Sequence, residues 1–161
     1  MRKVYRVLAY LVAAEVVVQA AAIAWAVAGL GHWVHGGGVF DASVMEDTGG
    51  PLPFPEVTGI IVHGINGSAI VPGLAVLLLV FSFFAKVRGG TKWAVAVFVL
   101  VAVQAQLGFA AGDLPALGAL HGINALLLFS AALWTAVRAS AGRSSVVATP
   151  EAAEQSVSTA V

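Results

Sequence analysis

Apolar residues run along this chain in four long blocks, about Val7–Leu30, Gly59–Ala85, Trp93–Ala111 and Leu117–Val137. A bilayer core about 30 Å thick takes roughly 20 helical residues, so each block predicts one membrane-spanning helix. The connections Lys86–Lys92 and Gly112–Ala116 are short enough to force antiparallel neighbours. The pattern therefore predicts an all-α integral membrane protein: an antiparallel, up-down-up-down four-helix bundle over residues 1–138. Trp25, Trp33, Trp93 and Trp134 fall at or near the block ends, where interfacial aromatic anchors are expected.

One connection is long. Residues 31–58 form an outer loop with glycine runs at Gly36-Gly37-Gly38 and Gly49-Gly50, followed by Pro51, Pro53 and Pro55. Loops above about 12–15 residues are uncommon unless functional or disordered. Pro55 followed by Glu56 reads as a helix start, which places the beginning of the second helix ahead of its apolar block. From residue 139 to 161 the chain turns to Ser, Ala, Thr and Glu and is expected to be a disordered cytoplasmic tail.

Composition agrees with the pattern. The chain has 161 residues, 60% hydrophobic and 10% charged, with mean hydropathy +0.95. Soluble domains are about 45–50% apolar and about 25% charged. The net charge is zero, but the signs are segregated. Arg2, Lys3, Arg6, Lys86, Arg88, Lys92, Arg138 and Arg143 lie at the N-terminus, between blocks two and three, or after block four. Asp41, Glu46, Asp47, Glu56 and Asp113 occupy the other connections. Lys and Arg mark the cytoplasmic side, so both termini are expected in the cytoplasm of a bacterial cell, with the chain in its inner membrane. Basic residues spread along one membrane border do not suit a nucleic-acid partner. The absence of cysteine excludes disulfides, thiolate metal sites and thioether-attached haem. The first block follows a basic start, as in a signal peptide. It is too long for one and has no clear cleavage site, so it reads as a retained helix.

Within this apolar background one tetrapeptide occurs twice, His63-Gly64-Ile65-Asn66 and His121-Gly122-Ile123-Asn124. Each copy puts His and Asn three residues apart, on one face of a helix. Val16-Val17-Val18-Gln19-Ala20 in block one likewise resembles Val101-Ala102-Val103-Gln104-Ala105 in block three. The order suggests a helical hairpin used twice in the same orientation. His63 lies eight residues past Pro55 and His121 six past Pro115. At about 1.5 Å per residue both sit roughly 9–12 Å below their helix starts. Two imidazoles at one depth in a bundle suit the axial positions of one haem iron, so His63 and His121 are the candidate metal ligands of a b-type haem. Gly64, Gly67 and Gly122 would leave room for a macrocycle. Asn66, Asn124, Gln19 and Gln104 are candidate cofactor contacts.

These residues also carry a resemblance. Gln104-x-x-Leu107-Gly108, a short outer turn and His121-x-x-x-Ala125 resemble the third and fourth helices of one four-helix half of heme A synthase. His63 falls where that family has its partner histidine. The resemblance implies a haem held near the outer face by a histidine pair on the second and fourth helices. The chain has Gly64 where the family commonly has Arg, and Glu56 lies seven residues before His63, so the family's loop-one glutamate has no secure counterpart. The chain is also similar to small bacterial four-helix membrane proteins with a His on helix two and His-x-x-Asn on helix four, a likeness that names no activity.

The leading expectation is a membrane b-type haem protein in electron transfer or haem handling, not an autonomous enzyme. A redox protein, a membrane-complex partner or a second copy of the chain would join it. The competing expectation makes the His and Asn pairs interhelical glue in a non-catalytic subunit, and a transporter is a third. Glu15 and Gln19 share a helix face inside the membrane. Glu15 reads either as a proton-relay or cofactor group, or as an acid hydrogen-bonded to Gln19 or Gln104. His32 and His35, just past the first block, read as solvated interfacial histidines, too few for a closed zinc site. Pro72 predicts a kink beside Gly73.

Overall fold

The computed structural model describes residues 1–41, Val44 and 50–141. The secondary structure of these residues is entirely helical, with four long elements: α1 Arg2–His35, α2 Pro55–Ser82, α3 Gly90–Ala110 and α4 Ala116–Ala141. All four are long and apolar enough to cross a membrane, and the fold is consistent with a multi-pass membrane protein.

Helix ends depart from the block ends for identifiable reasons. At 34 residues, α1 runs five residues beyond Leu30. Gly29 and Gly31 are isolated within a helical ladder that tolerates them. The stop comes at Gly36-Gly37-Gly38, where Gly37 has φ +98°. There the Gly37 N–H bonds the Val34 carbonyl at 3.0 Å and the Gly38 N–H bonds the Trp33 carbonyl at 3.0 Å. Those are the two hydrogen bonds of a Schellman cap, whose left-handed position suits glycine. His32 and His35 therefore lie in the last turn of α1, exposed, rather than beyond it. At the other end of the chain, α4 continues through Ala141, so residues 139–141, expected in the tail, are helical. The rest of the expected tail, 142–161, lies outside the described residues.

α2 begins at Pro55 with one 3-10 turn, Pro55–Val57, and the Thr58 hydroxyl donates to the Pro55 carbonyl at 2.8 Å. An α-helical segment, Thr58–Ile65, follows, then a π-helical segment, Asn66–Ile70, before regular helix resumes over Val71–Ser82. The expected irregularity at Pro72 thus takes the form of a widened turn just ahead of it. Pro72 has no N–H to give the ladder, and its ring crowds the carbonyl one turn earlier. The wide turn has a second consequence. Gly59, His63, Gly67, Val71 and Ala75 recur every four residues on the face turned to the bundle. In a regular helix, at about 100° per residue, a four-residue spacing drifts around the axis. The extra residue of a π turn absorbs much of that drift.

Around the bundle α1 packs against α2 and α4, and α3 packs against α4 and the Val71–Ser82 part of α2. The core fills the end that carries the basic residues. Tyr5, Leu8, Ala9 and Val12 meet Ala75, Leu78, Ala94, Val97, Ala132 and Ala136 there, all buried. The frequent alanines let backbones approach closely, which is how helices associate where lipid offers no hydrophobic drive. The Tyr5 hydroxyl donates to the Gly90 carbonyl at 2.8 Å, and the Arg2 guanidinium donates to the Lys86 carbonyl at 3.1 Å. Trp93 and Trp134 meet edge to face at the same end, with Arg138 over the Trp134 ring. At the opposite end α1 and α2 touch through small residues. A Cβ at Gly59 would overlap the Ala22 carbonyl oxygen, and one at Gly29 would overlap the Glu56 side chain. Trp33 stacks on Phe54 there, with ring centroids 5.3 Å apart.

Candidate functional site

Above the core the four helices separate around a cavity of about 700 Å³, a size typical of small-molecule and cofactor pockets. Its floor is made of core residues, Val71, Val101 and Leu128. Its walls are apolar apart from Gln19, Ser68, Gln104 and the two histidines.

His63 and His121 are brought together. Their ring centroids lie 6.1 Å apart with the planes tilted by 58°. Each ring turns Nδ1 to the backbone of the helix before it in the chain. His121 Nδ1 lies 3.0 Å from the Gln104 carbonyl oxygen and His63 Nδ1 lies 3.2 Å from the Gln19 carbonyl oxygen. When Nδ1–H donates to such a carbonyl, the lone pair sits on Nε2, the arrangement usual in metal-ligating histidines. Gly108 lets the His121 ring lie against α3: a Cβ there would come within 3.1 Å of His121 Cε1. Gly64 and Gly122, each directly after its histidine, line the cavity and face open space.

Gln19 and Gln104 line the cavity, but their side chains are engaged differently. The Gln104 amide oxygen accepts from Asn124 Nδ2 at 2.7 Å, and Asn124 Nδ2 also donates to the Leu100 carbonyl at 2.9 Å. In the orientation that satisfies its neighbours, the Gln19 amide oxygen accepts from the Gly67 N–H at 2.7 Å. Its amide nitrogen then donates to the His63 carbonyl at 3.1 Å and lies 2.7 Å from His63 Nδ1.

Asn66 and Asn124 are committed to bonds between helices. Asn124 is buried in its two bonds to α3, and Asn66 donates to the Glu15 carboxylate. Neither asparagine is among the residues lining the cavity. Glu15 therefore pairs with Asn66 rather than with Gln19 or Gln104. For Asn124 the acceptors are instead the Leu100 backbone oxygen and the Gln104 amide oxygen.

Among the described residues no group of three or more His, Cys, Asp or Glu side chains is assembled. The nitrogen donors brought together at the cavity are the two imidazoles of His63 and His121. Ser68, which sequence did not single out, and Gly108, which the sequence offered only as part of the Gln104-x-x-Leu107-Gly108 motif, complete the site. Ser68 donates to the Gly64 carbonyl at 2.7 Å, and Gly108 lies one turn after Gln104 on the face turned to His121. Comparison with protein-family models, curated proteins and solved structures gives no match, and none ties the chain to heme A synthase.

Proposed function

We propose that the chain is a bacterial inner-membrane protein, with both termini in the cytoplasm, that holds one b-type haem between His63 and His121 and serves electron transfer or haem handling. The observation that carries this reading is the 6.1 Å separation of two rings whose Nδ1 atoms are both turned to backbone carbonyls. A metal–imidazole bond is about 2 Å, so two of them in line, with ring radii of about 1.2 Å, separate the centroids by roughly 6.4 Å. The open space at Gly64 and Gly122 supports a flat group beside both ligands. Haem would supply a one-electron couple at the outer end of the bundle.

The residues of the chain have separate tasks in this reading. Gln19 and Gln104 fix ring orientation through their carbonyls. The apolar walls suit the hydrophobic face of a macrocycle, and the core below holds the helices at fixed separation. The Arg and Lys residues at the opposite end support the assigned orientation, because cytoplasmic borders are rich in both. The repeated hairpin finds support in the paired Gln–His contacts of the two halves.

A specific observation favours glue for part of the motif. Asn66 and Asn124 are spent on interhelical bonds. The histidines differ from them in facing a cavity. The test is the visible spectrum of detergent-purified protein expressed with haem supply, oxidised and then reduced by dithionite. Haem ligation predicts a Soret band and sharp reduced bands of low-spin iron. Protein that stays colourless after haem addition rejects the reading and leaves the histidines as packing residues.

A further inference from the structure

We infer that the cavity opens sideways into the bilayer, between the α1/α2 pair and the α3/α4 pair, and takes its planar apolar ligand from the lipid rather than from the water outside. The identity of that ligand rests on the haem reading above. The route rests on how the four helices are joined.

Around the cavity the polar contacts each join the two helices of one pair. In the first pair Asn66 donates to the Glu15 carboxylate and His63 Nδ1 faces the Gln19 carbonyl. In the second His121 Nδ1 faces the Gln104 carbonyl and Asn124 donates to the Gln104 amide oxygen. Close approach at this level is also within pairs, Gly59 on the Ala22 carbonyl and Gly108 on the His121 ring. One pair is held to the other by the buried core toward the basic end, where Tyr5, Ala9 and Val12 share a cluster with Leu128, Ala132 and Ala136. Above that core the pairs part, and the space between them is the cavity.

This space reaches the flanks of the bundle. Between α1 and α4, Val17, Ala20, Gly122 and Leu126 line the cavity and are also exposed, Leu126 at 70%. Between α2 and α3, Gly64, Ser68 and Phe109 do the same. The cavity also stops short of the helix ends, since no residue of 50–58 or 111–118 lines it. His63 lies eight residues inside the start of α2 at Pro55, and His121 five inside the start of α4 at Ala116. At about 1.5 Å per residue those depths are roughly 12 Å and 8 Å. The mouths thus lie on the apolar flanks of the spanning helices. A planar apolar molecule gathers in the bilayer because its surface leaves water there, so the sideways route begins where the ligand is concentrated.

Single cysteines test the route without haem, because the chain has none of its own. In protein reconstituted into vesicles, Gly122→Cys should react with N-ethylmaleimide, which dissolves in membranes, and resist a charged sulfonate maleimide that stays in water. Asp113→Cys, exposed in the turn between α3 and α4, should react with both. Gly64→Cys reports the α2–α3 side in the same way. A cavity cysteine that the charged reagent reaches, or one closed to both reagents in the folded protein, would overturn the inference. The second arm uses haem dissolved in the vesicle bilayer, with a haem-scavenging apoprotein in the water. The wild type should still develop the Soret band of bound haem. Leu126→Trp should slow that uptake about tenfold, a barrier higher by about 1.4 kcal/mol. Leu127→Trp, exposed but outside the lining, should leave it unchanged. Uptake that the scavenger abolishes, or that Leu126→Trp leaves at the wild-type rate, would overturn the inference. Protein that takes up no haem even in detergent rejects the haem reading alone, and the cysteines then decide the route by themselves.

Discussion

α2 packs mainly on α1 and α3 rather than on α4, yet His63 and His121 bring their rings to 6.1 Å of one another. Each reaches that position because a glutamine one helix earlier in the chain presents its backbone oxygen to Nδ1. The glycine after each histidine then faces open cavity rather than a neighbour.

That openness makes Gly64 and Gly122 suitable for blocking variants. Gly64→Leu and Gly122→Leu meet nothing within 4 Å at the new Cβ, so thermal unfolding should change by no more than about 0.5 kcal/mol. Both should fill space beside the ligands and lower haem occupancy, measured as the ratio of Soret to protein absorbance.

Gly59 should behave in the opposite way. Any Cβ there overlaps the Ala22 carbonyl of α1, and overpacking costs typically about 1–3 kcal/mol. Gly59→Val should lower stability by at least that order in a reversible unfolding assay in mixed micelles. By forcing α2 off α1, it should also weaken haem retention.

Glu15 and Asn66 meet inside the bundle, and a double-mutant cycle isolates what their bond contributes. Interhelical hydrogen bonds in membranes average about 0.6 kcal/mol, with about 1.7 as a high value. Glu15→Leu and Asn66→Leu should each destabilise, and the double variant should recover a coupling of about 1 kcal/mol. Additive losses would mean that the two side chains do not act as a pair.

Asn124 carries two bonds while buried, to the Leu100 carbonyl and the Gln104 amide oxygen. Asn124→Ala should cost about 1–2 kcal/mol, because both acceptors lose a partner. It should also free the Gln104 side chain, which ¹⁵N spectra of the His121 ring would register as a change in Nδ1 environment.

The four helices were legible because each apolar block comes close to or passes the roughly 20 helical residues that a bilayer core takes, and the histidine pair was legible because the two copies of His-Gly-Ile-Asn lie at similar distances from Pro55 and Pro115. The partners of individual polar groups were not. Which residues face one another depends on helix rotation, and Ala, Val and Leu on every side of these helices leave rotation undefined in sequence. Glu15 thus finds Asn66 instead of a glutamine, and the asparagines turn away from the cavity. The end of α1 was hidden for another reason. Gly29, Gly31 and Gly36 are alike in sequence, and only the left-handed backbone at Gly37 decides where the helix stops. The wide turn before Pro72 was signalled by proline, but its form depends on the four-residue recurrence from Gly59 to Ala75.

The central claim is that His63 and His121 bind one iron together. Low-temperature electron paramagnetic resonance of the ferric, haem-loaded protein tests it most directly, since two axial imidazoles give a recognisable low-spin signal. The account predicts that signal in the wild type and its loss in both His63→Ala and His121→Ala. A bis-imidazole signal that survives either substitution, or a wild-type protein that takes up no haem, would contradict it.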